Sequence, residues 1–169
     1  MEDKMGKTQK DLEDAFAGES QASRKYFHFA KKAEQEGYTQ VAKLFRAAAA
    51  AETVHAGNHL RVLNGIKDTR SNLQEAMKGE NYEVTTMYPE FIADAQAEGD
   101  AKAERSFYLA REVEKTHEQL YKKALEMLDK PQEDVQYYVC PVCGHTHVGT
   151  PPEKCPVCGI PGSKFEKVD

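Results

Sequence analysis

Cys140, Cys143, Cys155 and Cys158 are the only cysteines in the chain, and they form two Cys-Pro-Val-Cys pairs separated by eleven residues. Two CxxC pairs at this distance hold one metal ion between four thiolates, in a tetrahedral site. Gly144 and Gly159 follow the second cysteine of each pair. A thiolate in such a turn accepts hydrogen bonds from backbone N–H groups, and glycine permits the tight positive-φ geometry this needs. Four sulfurs suit zinc or iron, and spacing alone does not choose between them. His145 and His147 are surplus once four thiolates bind and read as ordinary loop residues.

A second set of ligand-type residues lies upstream. Glu52-Thr-Val-His55 and Glu114-Lys-Thr-His117 each set a carboxylate and an imidazole one helical turn apart. Glu19 and the pair Glu80 and Glu83 fall at the same height in two further helical stretches. A lone Glu-x-x-His is usually a solvated surface pair. Here all seven residues interrupt apolar stripes, such as Val41, Phe45, Ala48 and then Glu52 and His55. Unpaired carboxylates on core faces are prohibitively costly, and no Lys or Arg falls on those stripes to neutralise them. Metal ions supply the missing charge. A Glu from each of two helices with Glu-x-x-His from the other two is the arrangement that holds two irons in a four-helix bundle.

The elements that must position these groups are legible. The chain has 169 residues, 30% of them charged and 9% aromatic, with a formal net charge of −5 and no basic block. That balance argues against nucleic acid or an anionic membrane surface as partner. Met1 to Lys10 is polar, with no apolar region of a signal peptide, and no apolar run spans a bilayer. A soluble cytoplasmic protein is expected, where reducing conditions keep thiols free for metal. Gly37, Gly65 and Gly99 divide the first 130 residues into four expected helices, 6–36, 38–64, 72–98 and 100–129. Pro89, inside the third, is expected to cost a hydrogen bond and kink it. Asp129 to Gln136 is polar and contains Pro131, as a linker would. The domains expected are 1–130, a linker at 131–136, and 137–169. Ala33-Glu-Gln-Glu-Gly37 resembles Ala95-Gln-Ala-Glu-Gly99 at a shift of 62, which also carries Phe45 to Phe107, Glu52 to Glu114 and His55 to His117. A helix hairpin thus occurs twice.

With these motifs on the page, the chain resembles rubrerythrin from about residue 12 to 168. Phe16-Ala-Gly-Glu-Ser-Gln-Ala22 is similar to that family's first-helix signature. Glu52-Thr-Val-His55, Glu80-Asn-Tyr-Glu83 with Thr86-Met-Tyr-Pro89, and Glu114-Lys-Thr-His117 match the other three. The twin Cys-Pro-Val-Cys-Gly segments resemble its rubredoxin-like tail. The resemblance implies a mainly α protein: a ferritin-like four-helix bundle with a di-iron centre, then a small β- and loop-rich domain holding one iron on Cys140, Cys143, Cys155 and Cys158. It implies a peroxidase that reduces hydrogen peroxide to water in oxidative-stress defence. Electrons would enter through the cysteine site from a donor such as rubredoxin and an NAD(P)H-dependent reductase, making the activity NADH-linked. Glu52 and Glu114 would bridge the irons, Glu19 and Glu80 would be terminal ligands, and His117 would hold one iron. Glu83 and His55 occupy the positions between which the other iron moves with redox state. Tyr26 and Tyr88 fall where the family hydrogen-bonds its ligands; as core tyrosines with satisfied hydroxyls they would fit the sequence equally well.

Chain length bears on assembly. In a ferritin-like bundle the connection between the second and third helices must run the bundle's length. Gly65 to Ser71 reach at most ~24 Å when extended, against ~25 Å of helix rise to be retraced. A homodimer that exchanges helix hairpins is therefore expected, with the tail of one subunit serving the di-iron site of the other. Two other readings stand beside this one. Ferroxidase or iron-handling activity would need no dedicated electron entry. A zinc-ribbon adaptor on a helical dimerisation bundle would leave the acids on the core faces unexplained.

Overall fold

The computed structural model of the protein describes residues 6–131 and 134–168. Part of the expected linker, at 132–133, and the extreme ends of both expected domains lie outside the described residues. The chain divides into two compact units, one ending at Lys67 and the other beginning at Asp68. No described helix is long and apolar enough to cross a membrane.

The first unit is a helix hairpin, α1 (Lys7–Gln35) and α2 (Thr39–Val62). Its seam is made of small residues: Ser23, Ala30 and Ala33 on α1, and Ala42, Ala49 and Ala56 on α2, are buried. Alanines at every seventh position let two helices approach closely. The seam is pinned by Ser23 and Thr53, whose hydroxyls lie 2.9 Å apart. A hairpin this thin leaves its large apolar side chains uncovered, and Phe27, Phe29, Val41, Leu44 and Val54 are all exposed.

The second unit contains the other hairpin and the tail. α3 (Thr69–Tyr82), a π-helical turn (Glu83–Met87) and α4 (Tyr88–Glu98) run on as one helix, and they pack on α5 (Ala101–Met127). The third helix starts three residues before the expected Asn72. The signal for this was Asp68, whose carboxylate accepts the backbone N–H of Ser71 at 3.0 Å and so caps the helix. The two hairpin turns repeat bond for bond. Tyr38 N–H donates to Ala33 O at 2.8 Å, and Asp100 N–H donates to Ala95 O at 2.9 Å. Gly37 and Gly99 supply the left-handed residue at φ +83° and +72°.

At Pro89 the expectation of a simple kink is replaced by a widened turn. The N–H of Tyr88 bonds back five residues to Glu83 O. The matching partner for Val84 O would be the N–H of residue 89, which proline lacks. Arg111 fills the gap: its Nε donates to Val84 O at 3.0 Å. The turn also explains an irregularity in the repeat. Glu19 and Glu80 are 61 residues apart, whereas Tyr26 and Tyr88 are 62 apart. A π turn takes up one extra residue without breaking the helix. Beyond it the two hairpins match closely. Tyr26 lies 6.2 Å from Phe29 and 6.1 Å from Phe45 between ring centroids, and Tyr88 lies 6.3 Å from both Phe91 and Phe107.

The tail is a three-stranded antiparallel sheet in the order β2-β1-β3, with β1 at Tyr137–Val139, β2 at Thr146–Val148 and β3 at Glu166–Val168. Tyr138 pairs with His147 on one side and Lys167 on the other. The fold class is as expected: four helices, two of them per hairpin, followed by a small sheet beside a cysteine cluster.

Candidate metal centres

Each hairpin gathers a set of ligand atoms from its own helices. In the first unit, Glu19 on α1 and Glu52 and His55 on α2 bring one donor atom each within 4.8 Å of one another. His55 Nδ1 lies 2.8 Å from Glu52 and 3.8 Å from Glu19. In the second unit, Glu80 on α3 and Glu114 and His117 on α5 do the same. His117 Nδ1 lies 2.6 Å from Glu114 and 3.8 Å from Glu80. The two triads are copies, as the repeat requires. The helical spacing Glu-x-x-His sets carboxylate and imidazole side by side, and the facing helix adds the second carboxylate.

The copies differ in charge and burial. Glu83 joins the second triad from the π turn, and its counterpart in α1 is Ala22. Crowding acids without a cation has an electrostatic signature. Burial, then the neighbouring Glu114, pushes the Glu80 carboxyl up to about 7. Burial and Glu114 likewise raise Glu83. The hydrogen bond to Glu114 raises His117 against the opposing effect of burial. These are donors in need of positive charge. Three oxygen and nitrogen donors converging in each triad are a fit for a divalent or trivalent iron.

The sulfur site passes a stricter test. Sγ–Sγ distances are 3.5 Å for Cys140–Cys158 and 3.6 Å for Cys143–Cys155. A disulfide would need ~2.05 Å, and a tetrahedron with ~2.3 Å metal–sulfur bonds has edges near ~3.8 Å. The two halves of the site are again copies. Gly144 N–H bonds to Cys140 O and Gly159 N–H to Cys155 O, both at 2.9 Å. The cores of the two turns are Cys140 and Cys155, both buried. Burial pushes the Cys155 thiol up, but backbone N–H groups of Cys158 and Val157 outweigh it and bring the thiol down to about 7.

The tyrosines occupy the expected heights. Burial, then Glu83, Glu114 and Glu80, raises the Tyr88 hydroxyl, which places it within the field of the acids. Tyr26 holds the equivalent place in the first hairpin by its ring contacts. Neither hydroxyl makes a hydrogen bond among the described residues. Tyr121, one turn beyond His117, feels the same field: burial, then Glu80 and Glu114, raises it.

Three residues gained roles that spacing had not assigned. Arg111 holds the π turn beside Glu83, and Pro89 was its signal, since a helical proline demands a donor from elsewhere. His145 is not an ordinary loop residue: it is buried, edge-on to Phe165, and its carbonyl accepts the Cys140 N–H at 2.9 Å. Thr146 Oγ1 lies 2.8 Å from His117 Nε2, so the tail touches a candidate ligand of its own chain's α5. No pattern in the sequence pointed to it.

Comparison with known proteins agrees with this arrangement. The Rubrerythrin family model matches residues 10–125, and the model for the rubredoxin-like domain of rubrerythrin matches residues 138–166. Nigerythrin of Nitratidesulfovibrio vulgaris is 39% identical, over 95% of this chain and 86% of its own. Rubrerythrin from the same organism is 33% identical, over 96% of this chain and 95% of its own. Rubrerythrin-2 of Clostridium acetobutylicum is 35% identical, over 92% and 93%. Solved structures of nigerythrin, in mixed-valent and in fully reduced, all-ferrous states, align with a TM-score of 0.58 at 37% identity, covering 99% of this chain and 89% of theirs.

Proposed function

The chain belongs to the rubrerythrin family, and from that premise we propose that it is a peroxidase reducing hydrogen peroxide to water with electrons that enter through its cysteine site. The observation that carries the proposal is the pairing, in one chain, of two carboxylate–histidine triads with a four-sulfur site. The carboxylate and histidine groups are those of a ferritin-like di-iron centre, and the cysteines those of a rubredoxin-like iron site. Bound there, two irons supply the two electrons that, with two protons, turn one peroxide into two waters. Glu52 and Glu114 bridge, Glu19 and Glu80 bind terminally, and His117 holds one metal. Glu83 and His55 are alternative ligands for the other: a more positive metal favours the anionic carboxylate, and reduction favours the neutral imidazole. Tyr26 and Tyr88 flank the peroxide site. Residues 1–130 and 137–169 act as the two functional domains, in the cytoplasm, fed by rubredoxin and an NAD(P)H-dependent reductase.

The centre is assembled, in this reading, from two chains that exchange hairpins. α2 ends at Val62 and α3 begins at Thr69, so seven steps connect them. Fully extended they reach ~24 Å. Retracing the rise from His55 to Val62 and from Thr69 to Glu80 needs ~27 Å, before any sideways step. The exposed apolar faces of the first hairpin are the surface a second chain's hairpin would cover.

The test is anaerobic. Iron-loaded chain, with about three irons expected, is reduced and mixed with peroxide, and peroxide loss is followed against iron release and NADH oxidation through added reductase. Repeated turnover with iron retained supports the reading. Iron consumed as a mineral would replace it with ferroxidase activity. Exchange is tested by complementation: a chain carrying E19Q and E52Q is refolded with one carrying E80Q and E114Q. Exchanged dimers regain about a quarter of wild-type activity, since half the dimers are mixed and each mixed dimer has one intact site. Without exchange none returns.

A further inference from the structure

The repeat makes His55 and His117 equivalent, yet their surroundings are not. Both rings turn Nδ1 toward carboxylates. The far nitrogen of His117 is held by Thr146 Oγ1 at 2.8 Å. Among the described residues His55 has hydrogen bonding only through Nδ1, to Glu52. His55 is 52% exposed and His117 26%. Thr146 opens β2, three residues after Cys143, and β2 packs on α5. Gly144 also approaches α5, within van der Waals reach of Val113.

We propose that Thr146 is a positioning residue that latches His117 as the fixed histidine of the centre and leaves His55 as the movable one. The chemistry follows from the two ring nitrogens. When Nδ1 gives its lone pair to a metal, Nε2 carries the proton and donates to the Thr146 hydroxyl. That bond fixes tautomer and ring orientation. It also ties the ligand to a strand that leaves the sulfur site three residues earlier. Docking of the tail and geometry of the ligand thus become one event. A histidine without such a partner swings away from its site with only the Glu52 contact to lose. The asymmetry that ligand exchange requires is in this view imposed by the tail, since the hairpins themselves are copies.

The proposal rests on the reading of His117 as a metal ligand, and its test does not depend on peroxide turnover. Full-length chain labelled with ¹⁵N-histidine and loaded with diamagnetic zinc is compared as wild type, Thr146→Val and Thr146→Ser. Valine keeps the shape and removes the hydroxyl; serine keeps the hydroxyl. In wild type and T146S the His117 Nε2-bound proton is observed and protected from solvent exchange. In T146V it exchanges at least about tenfold faster, and zinc affinity of the carboxylate–histidine site falls about 10–100-fold, while zinc in the cysteine site is unchanged. Equal protection in wild type and T146V would overturn the latch, as would loss of protection in T146S. Absence of peroxide turnover in all three, with the Thr146-dependent protection intact, would instead remove the peroxidase reading and leave the latch standing.

Discussion

Glu80 gives the sharpest test of the idea that the acids wait for a metal. Its carboxyl is raised from 4.5 to about 7, by burial first and then by Glu114. With the carboxylate sites emptied by chelation, the folded chain holds a proton there that the unfolded chain gives up. Stability from this group is therefore fully present below pH ~4.5 and is lost as pH rises through ~7. The shift of about 2.5 units corresponds to ~3 kcal/mol at 1.36 kcal/mol per unit. The side chain is 17% exposed, and Glu80 and Glu114 titrate as a pair, so about 2 kcal/mol is the expected share. Glu80→Gln mimics the protonated acid at every pH. Urea unfolding of the metal-free proteins, followed by far-UV circular dichroism at fixed chain concentration, should find E80Q no more stable than wild type at pH 4.5 and about 2 kcal/mol more stable at pH 8. Comparing the two proteins cancels every other titrating group. Excess ferrous ion, added anaerobically at pH 7.5, should reverse the order, because only wild type keeps the full donor set; a hundredfold excess over Kd is worth ~2.7 kcal/mol. A difference between E80Q and wild type that does not change with pH would refute the reasoning.

Three further outcomes follow from the same structure. Arg111→Met leaves the Val84 carbonyl without a donor and should destabilise the chain by about 1–3 kcal/mol, with faster amide exchange confined to the π turn; Arg111→Lys should recover part of the loss. Cys158→Ser should abolish the thiolate-to-iron charge-transfer bands and remove one iron per chain while helical circular dichroism stays at the wild-type level, since the hairpins do not depend on the sulfur site. Gly99→Ala forces a side chain into φ +72° and should cost about 1 kcal/mol in urea denaturation.

The ligand set was legible in the sequence because helices convert spacing into direction. Glu52 and His55 must share a face at i and i+3, and Glu114 and His117 must do the same, whatever else the chain does. The cysteine pairs are similarly local: each turn brings its own two sulfurs together, and the repeat of Cys-Pro-Val-Cys-Gly guarantees that the two turns are alike. The helices came close to their expected bounds for the same reason. Where local rules competed, the sequence misled slightly. Pro89 promised a kink, but a side chain from α5, 22 residues further along the chain, supplied the missing donor and let the helix run on through a π turn.

The sequence by itself thus determined the four thiolates, the two carboxylate–histidine triads and the hairpin repeat that generates them. The tertiary structure decided which residues stand behind those ligands. Nothing in the spacing of Thr146 or Arg111 marks them, because each acts across a long loop on a partner whose position depends on packing. Two histidines that the sequence makes equal become unequal only when the sheet folds back onto α5 and one ring nitrogen meets a hydroxyl. Periodicity fixes which way a side chain faces on its own element; what it meets there is set by the elements that pack against that face.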